Sequence, residues 1–522
     1  MLEKFLNNRF FVLYLAPFCL GLLSVFSFQP FNFSLINFFI LPILFLLLVY
    51  VRKKSQNFYR QKPYRKNLFL IGSVFGFGFY LSGIFWITYS LTFDDNFKFL
   101  IPFALILIPL FLSIFMGLST LIAGQYLNYK FSSILIFSSF IALSDYIRSK
   151  ILSGFPWNLW AYSWSWFTEI LQILNILGLF AFNLLTVTIF TLPAIIFFKD
   201  TLSRKFLISM VAFLTVFGIY IHGTFTINKN NEKLVNIDNK KLLYVKAVSP
   251  NFDLKYNSSL EDIENKIKKL IKYSDPENKK TIFIWPEGVF TGFNFDEISR
   301  FKGQIKKNFN DNHLILFGIN TLDKRTGEYF NSLIVINNNF EILHQYNKIK
   351  LVPFGEFLPF EKLLNKIGFK KITQGHGSFS KGNNKSGIVI NDINILPLIC
   401  YEIIFPELVQ NANKKTNLII NISEDGWFGN SIGPYQHFSK AIFRSIENDT
   451  FLIRAANQGI SAIINNKGEI VKRLNTKETG NIESNIPLLK SNFKNKNDLI
   501  FFILLFTYLI IILIFKNKTN AK

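Results

Sequence analysis

The chain is short of cysteine, methionine, histidine and acid: of 522 residues, 2 are Cys, 3 Met and 5 His, and 34 are Asp or Glu. With cysteine at Cys19 and Cys400 alone, no disulfide framework and no Cys-based zinc site is available, so any cysteine chemistry must come from a single thiol. The few carboxylates stand against 57 Lys and Arg, a formal net charge of +23. What the chain has in abundance is apolar: 50% of it is hydrophobic and 62 residues are Phe. A disordered basic protein would lack that apolar half, and a soluble nucleic-acid binder would not carry long uncharged runs of Phe, Leu and Ile. A wholly membrane-embedded bundle is excluded in turn by a long Asn-, Lys- and Glu-rich stretch in the second half. The chain is therefore divided.

About 20 apolar residues cross a bilayer as a helix. Such runs occur at Phe10–Phe28, Leu35–Val51, Leu68–Leu91, Phe99–Leu121, Ser132–Ile147, Ile170–Phe198, Phe206–Phe225 and Leu499–Phe515, which predicts eight transmembrane helices. The expected division is a seven-helix membrane region over 1–227, a polar domain over 228–498, and a last helix with a short tail over 499–522. Lys4 and Arg9 before the first run give it the look of a secretory signal, but the run is too long and lacks a small-x-small cleavage pattern. Bulky Phe18 before Cys19 also argues against a lipoprotein signal, leaving Cys19 as a thiol in a membrane helix. Positive loops set direction. Arg52, Lys53, Lys54, Arg60, Lys62, Arg65, Lys66, Lys130, Lys199, Arg204, Lys205 and the tail lysines share a side with Lys4 and Arg9, whereas Lys98, Arg148 and Lys150 fall on the other. Both termini are then cytoplasmic, and the polar domain is extracytoplasmic, periplasmic in a cell with two membranes.

The polar stretch has the texture of a folded domain. Short β-rich runs recur at Lys241–Val248, Thr281–Trp285, His313–Gly318, Ser332–Ile336, Gly387–Ile390, Ile393–Ile399, Asn417–Ile422 and Gly459–Ile464, with helical candidates at Ser259–Tyr273 and Tyr435–Asn448. Strands alternating with helices predict an α/β domain.

Three of its strand candidates end in a reactive side chain, where α/β folds tend to place their sites. Thr281–Pro286 runs into Glu287, Tyr346-Asn-Lys348 runs into Leu351-Val-Pro-Phe-Gly-Glu356, and Ile393–Ile399 runs into Cys400-Tyr401-Glu402. A carboxylate, an ammonium and a thiol suffice for acyl transfer: Glu287 to take the thiol proton, Cys400 to attack a carbonyl, Lys348 to lower the thiol pKa and stabilise an oxyanion. The N–H after Cys400 offers a second oxyanion donor. Taken singly, each residue has an ordinary reading, since a strand-end Cys is commonly a small buried hydrophobe and Lys is abundant here. Their coincidence with Trp-Pro-Glu, Leu-Val-Pro-Phe-Gly-Glu and Ile-Cys-Tyr-Glu in one domain sets them apart.

The order Glu287, Lys348, Cys400 resembles that of the nitrilase superfamily. The flanking strings Tyr346-x-Lys348-x-x-Leu-Val-Pro-Phe-Gly-Glu356, Ile399-Cys-Tyr-Glu402, Trp427-Phe-Gly429, Gln436-His437, Arg454 and Asn457-x-Gly459 are similar to those of the apolipoprotein N-acyltransferase family, as is Gly154-Phe-Pro-Trp157 between the fifth and sixth spans. The resemblance covers nearly the whole chain and implies an αββα sandwich in which Glu287 is the general base, Lys348 the oxyanion and thiolate stabiliser, and Cys400 the nucleophile that carries an acyl thioester. It also implies that Glu356, Tyr401 and Glu402 support the triad. Trp157, Tyr256 and Trp427 are candidates for substrate binding. Two positions depart from the family pattern: Glu424-Asp425 where Asn-Asp is usual, and Tyr256 where many members have Trp.

The implied reaction moves a fatty acyl chain from a phospholipid to Cys400 and then to the α-amino group of a diacylated apolipoprotein, in ping-pong fashion, the last step of lipoprotein maturation. The implied partners are the phospholipid donor, the lipoprotein acceptor and membrane lipids, with no nucleic acid; the expected protein is a monomer in the cell inner membrane. His344 and His437 are not at ligand spacing, and His437 reads as structural, so no metal and no cofactor is expected. The aromatic run Phe155–Phe167, with Trp157, Trp160, Trp164 and Trp166, suits an interfacial belt or a lid. Two alternatives are a membrane-anchored amidase of the nitrilase type, which the many spans argue against, and a transporter or sensor, which leaves the Glu-Lys-Cys order unexplained.

Overall fold

The computed structural model describes residues 6–56, 64–237, 242–255, 258–361, 378–383, 387–390, 392–410, 416–489 and 497–520. Contacts divide it into two units, one of Met1–Thr88, Lys98–Thr226 and Lys496–Lys522, the other of Tyr89–Phe97 and Ile227–Asn495. The short Tyr89–Phe97 piece joins the second unit although its chain neighbours on both sides belong to the first.

The first unit is helical. Among the described residues, seven helices are long and apolar enough to cross a membrane: Ser34–Lys54, Tyr64–Phe93, Asp95–Gly124, Phe131–Lys150, Leu179–Phe197, Leu202–Val235 and Asp498–Phe515. The first expected span, Phe10–Phe28, is the shorter apolar helix Phe11–Ser27. The expected span Ile170–Phe198 is interrupted, because Gly178 takes φ +74° after the one-turn helices Thr168–Leu171 and Leu174–Leu177. Leu202–Val235 extends well past the expected Phe225. The most hydropathic windows of Asp95–Gly124, Leu202–Val235 and Asp498–Phe515 are only 22%, 6% and 11% buried. So much bare apolar helix is stable where the solvent is lipid, which makes this a membrane protein. Arg148, read from the sequence as a loop charge, lies within helix Phe131–Lys150 and is buried against Asp145, Nη2 to Oδ1 2.9 Å.

The second unit is the expected α/β domain. Its strands are β1 Leu242–Ser249, β2 Thr281–Ile284, β3 His313–Asp323, β4 Glu328–Ile336, β5 Ile342–Asn347, β6 Ile388–Ile390, β7 Ile393–Ile399, β8 Leu418–Glu424, β9 Phe451–Asn457, β10 Ser461–Ile464, β11 Ile470–Leu474 and β12 Gly480–Pro487. They form two six-stranded sheets, β12-β1-β2-β3-β4-β5 and β11-β10-β9-β8-β7-β6. In each sheet three central strands are parallel, β1-β2-β3 and β7-β8-β9, and antiparallel strands flank them. Central strands covered on both faces need continuous apolar runs, and β2, β8, β9 and β10 are buried at every residue.

Between the sheets, Val245, Ile284, Leu316 and Val335 pack with Ile395, Ile420, Ile453 and Ile463. At roughly 1.5–3 kcal/mol for each fully buried Val, Leu or Ile, this layer fixes the sandwich. On the far face of the first sheet, Phe283, Trp285, Ile315 and Phe317 meet Ile263, Ile267 and Leu270 of helix Leu260–Ser274, which begins at a Ser259–Asp262 capping box. Helix Gly433–Asn448 covers the second sheet, its His437 reaching Arg454 of β9. Because β4 reverses direction between β3 and β5, the C-terminal ends of β2 and β5 open at the same edge. Glu287 and Lys348 follow those ends, and their 3.5 Å contact places that edge at the site.

Candidate active site

Glu287, Lys348 and Cys400 come together where β2, β5 and β7 end. Glu287 Oε1 accepts from Asn331 Nδ2 at 2.8 Å and lies 3.5 Å from Lys348 Nζ, while its Oε2 accepts the Glu424 N–H at 3.1 Å. Lys348, 1% exposed, donates to Glu356 Oε1 at 2.9 Å, and its backbone N–H donates to the Asn331 carbonyl at 2.9 Å. Asn331 Nδ2 also reaches Glu356 Oε1, at 2.6 Å, so one amide holds both carboxylates that face the ammonium. Glu356 is seated in turn by the Val352 N–H on Oε2 at 2.8 Å. Burial opposes the Lys348 charge, but Glu287 and Glu356 together hold the ammonium well above its ordinary range. It is a permanent cation.

Cys400 follows β7 with φ +49°, in the left-handed region that costs a non-glycine residue of order 1–3 kcal/mol and that clusters at functional sites. Burial is the largest influence on its thiol and pushes it up; Glu287 pushes the same way, and Lys348 pulls it down without prevailing. The sequence expectation that Lys348 lowers the thiol pKa therefore holds for the sign of that one interaction and not for the net. The resting group is a thiol that needs a base to activate it, and Glu287 is near enough for its charge to be felt.

Two buried devices fix this geometry. Glu402, 0% exposed, accepts from Ile349 N–H at 2.7 Å and Lys350 N–H at 3.1 Å on Oε1 and from Ile399 N–H at 2.8 Å on Oε2, with the Tyr346 hydroxyl 3.1 Å from Oε1. It staples the chain beside Lys348 to the chain beside Cys400. Burial pushes its carboxyl up to about 7 against those N–H donors. The second device is the buried ion cluster of Asp425, Arg454 and His437. Arg454 Nη2 donates to Asp425 Oδ2 at 2.7 Å and Oδ1 at 2.9 Å, and its Nη1 donates to Asn421 Oδ1. Ser423 Oγ donates to Asp425 Oδ1 at 2.6 Å, and His437 bridges Asp425 Oδ1 to the Cys400 carbonyl oxygen. Burial works against the Asp425 charge, yet Arg454 and His437 hold it far below the usual carboxylate range. His437 thus holds the main chain at Cys400. Asn331 was missed in the sequence because an Asn inside a strand carries no motif.

Tyr401 is partly exposed and its ring lies 5.0 Å from that of Phe405, edge to face. Trp427 is partly exposed and meets Phe93 edge-on at 5.2 Å, and Phe93 meets Tyr89 at 5.5 Å. Gly429, at φ +59°, lies under Tyr89 so closely that a Cβ would stand 2.6 Å from the ring. Trp157 belongs to the first unit, 1% exposed between Trp86 at 4.7 Å and Phe155 at 6.1 Å. Tyr256 lies outside the described residues. Around Trp157, Arg148 donates to the Phe155 carbonyl, Asn183 Nδ2 donates to Asp145 Oδ2 at 3.0 Å, and the Ala161 N–H donates to Asn183 Oδ1 at 3.0 Å. Among the described residues, no three His, Cys, Asp or Glu side chains group to hold a metal ion.

A carbon-nitrogen hydrolase family model matches residues 254–490, which makes the second unit a nitrilase-superfamily α/β domain carried with several apolar helices. A model of the apolipoprotein N-acyltransferase N-terminal domain matches residues 20–192. An apolipoprotein N-acyltransferase of Rickettsia typhi is 34% identical over 482 residues, 90% of this chain and 91% of the relative. One of Rhodopseudomonas palustris is 32% identical over 483 residues, 90% of this chain and 88% of the relative. The chain belongs to the apolipoprotein N-acyltransferase family. Among solved structures, an amidase from Nesterenkonia sp. is 14% identical, with a TM-score of 0.32 over 47% of this chain and 90% of the amidase.

Proposed function

We propose that this enzyme acylates the N-terminal α-amino group of diacylated lipoproteins through a thioester on Cys400. The observation that carries the reading is the buried contact of Lys348 with Glu287 and Glu356 beside a strained, buried Cys400, on a chain that belongs to this family. Glu287 removes the thiol proton as sulfur attacks the phospholipid ester carbonyl. The tetrahedral oxyanion is met by the Lys348 ammonium and the N–H of Tyr401. Collapse breaks the ester C–O bond, and the departing lysophospholipid oxygen takes the proton from Glu287. In the second half, the lipoprotein amine attacks the thioester, Glu287 accepts the amine proton, and collapse returns that proton to the Cys400 sulfur. Glu356, Tyr401 and Glu402 hold the arrangement, and Trp427 offers an apolar wall to an acyl chain, as do Trp157 and Tyr256 in the family pattern.

The topology that suits this reaction has eight passes, Phe11–Ser27 supplying the first, with both termini cytoplasmic and the catalytic domain in the periplasm. The support is the concentration of Lys and Arg in alternate short loops. The enzyme then acts as a monomer of the inner membrane, over the domains 1–227, 228–498 and 499–522, on a phospholipid donor and a diacylated apolipoprotein.

The test is incubation of the purified protein with labelled phospholipid and no acceptor. A hydroxylamine-sensitive label on Cys400, absent in Cys400→Ala, is the expected result. Steady release of free fatty acid without acceptor would establish a hydrolase, and N-acylation of a diacylated lipopeptide by Cys400→Ala would overturn the nucleophile.

A further inference from the structure

The two oxygens of Glu287 face different sheets. Oε1 turns to the first, where Asn331 Nδ2 of β4 donates to it at 2.8 Å and Lys348 Nζ, just past β5, lies 3.5 Å away. Oε2 turns to the second, where it accepts the main-chain N–H of Glu424 at 3.1 Å, at the end of β8. Cys400 stands on that second side. β7 pairs in parallel with β8, Ile399 opposite Ile422, so Cys400 follows on alongside Ser423 and Glu424.

Asn331 is firmly seated: it lies opposite Asn320 of β3, and its carbonyl takes the Lys348 N–H at 2.9 Å. Its amide can face only one way, because both neighbours of Nδ2 are carboxylate oxygens, Glu287 Oε1 and, at 2.6 Å, Glu356 Oε1. An NH₂ group has two hydrogens, and both are engaged there. Lys348 closes the ring from the other side, its Nζ 2.9 Å from the same Glu356 oxygen. Each oxygen of a carboxylate has two lone pairs. Among the described residues, Glu287 Oε1 has two donors and is full, whereas Oε2 has one donor and keeps a lone pair open.

We propose that Asn331 is a positioning residue that gives the oxygens of Glu287 separate tasks: its amide holds Oε1 in the ring with Lys348, and Oε2 takes the Cys400 proton. The S–H bond breaks, an O–H bond forms on Oε2, and the sulfur electron pair goes to the ester carbon. The ring stays as it is, since Oε1 of the protonated acid still accepts from both donors. A proton on Oε1 would displace one of them. Without the amide, two carboxylates share one ammonium, which draws Glu287 toward Lys348 and its Oε2 away from Cys400. The inference rests on Glu287 acting as the base in the proposed thioester chemistry.

The test is thioester formation on Cys400 from labelled phospholipid alone, with thermal unfolding of each variant. Asn331→Ala is expected to lower the rate constant roughly 10- to 100-fold at an unchanged half-saturating donor concentration. Loss of an N–H donor does not weaken a carboxylate as a base, so that fall reads aim rather than strength. In a Glu287→Gln background, with no base to aim, Asn331→Ala should cost nothing further, whereas in Glu356→Gln it should keep its effect. Alkylation of Cys400 by iodoacetamide, which needs no lipid, gives every corner of this cycle a measurable rate and should show the same pattern. Asn331→Ser, whose single hydroxyl hydrogen cannot serve two carboxylates, is the second variant and is expected to behave alike. An unchanged rate in folded Asn331→Ala or Asn331→Ser, an equal further loss in Glu287→Gln, or no loss in Glu356→Gln overturns the proposal. Thioester formation at the wild-type rate in Glu287→Gln would instead overturn the assignment of the base.

Discussion

His437 Nε2 lies 3.2 Å from the carbonyl oxygen of Cys400, while the other ring nitrogen lies 2.9 Å from Asp425 Oδ1. The strained main chain of Cys400 is thereby tied to a buried ion pair rather than left to its own preference. His437→Ala should leave that carbonyl and Asp425 each short of a partner, at a cost of about 1–3 kcal/mol in stability. It should lower kcat roughly 10- to 100-fold with KM for the donor little changed, because the loss is in aim rather than in binding. Steady-state kinetics with thermal unfolding of the same preparation separate the two effects; a changed KM at constant kcat would contradict the assignment.

Glu402 gives a pH dependence of stability. Its carboxyl moves from the ordinary 4.5 to about 7 on folding. The native protein then holds a proton that the unfolded chain releases above about pH 4.5, so stability falls as pH rises from there to about 7 and is level beyond. The loss is on the order of 3 kcal/mol. Melting temperatures between pH 4.5 and 8 should show this slope in the wild type and lack it in Glu402→Gln.

Tyr89 sits on Gly429 where a Cβ would come within 2.6 Å of the ring. Gly429→Ala therefore meets both a clash and a left-handed backbone, and about 1–3 kcal/mol of stability should be lost. Adding Tyr89→Ala should recover the part due to the ring. A double variant no more stable than Gly429→Ala would show that backbone strain alone is responsible.

In the membrane unit, Asp145 and Arg148 are a buried pair, each nearly inaccessible. Asp145→Ala strands the guanidinium and should cost roughly 3–5 kcal/mol, whereas replacing both residues with Leu should cost much less. Yield and thermal stability of the solubilised single and double variants give the comparison.

Much of the catalytic domain was legible because central strands announce themselves as apolar runs. Thr281–Ile284, Ile393–Ile399 and Leu418–Glu424 are such runs, and each has a reactive or polar residue at its end or shortly after it, Glu287, Cys400 and Glu424. Strands that depend on their neighbours were not legible. β9 carries Arg454 at its centre, acceptable there because Asp425 neutralises it, and β11 and β12 present edge sequences, Ile-Val-Lys-Arg-Leu and Gly-Asn-Ile-Glu-Ser-Asn-Ile-Pro, that are polar on one or both faces. In the site, Glu287, Lys348 and Cys400 stood out by type, while Asn331 and the Glu402 staple act through geometry that sequence does not display. Arg148 was misplaced in a loop because a charge near a span's end looks the same in sequence whether it leaves the membrane or folds back onto Asp145.

The first strand of the catalytic domain pairs with its last, Leu242 opposite Pro487 through Ser249 opposite Gly480, and Glu402 joins residues of β7 to the segment after β5. The first sheet is complete only with β12, the last strand of the domain, and the second only with β11 just before it. A chain stopped short of β12 leaves β1 as an unpaired edge of the first sheet, a row of free N–H and C=O groups open to pairing with another strand.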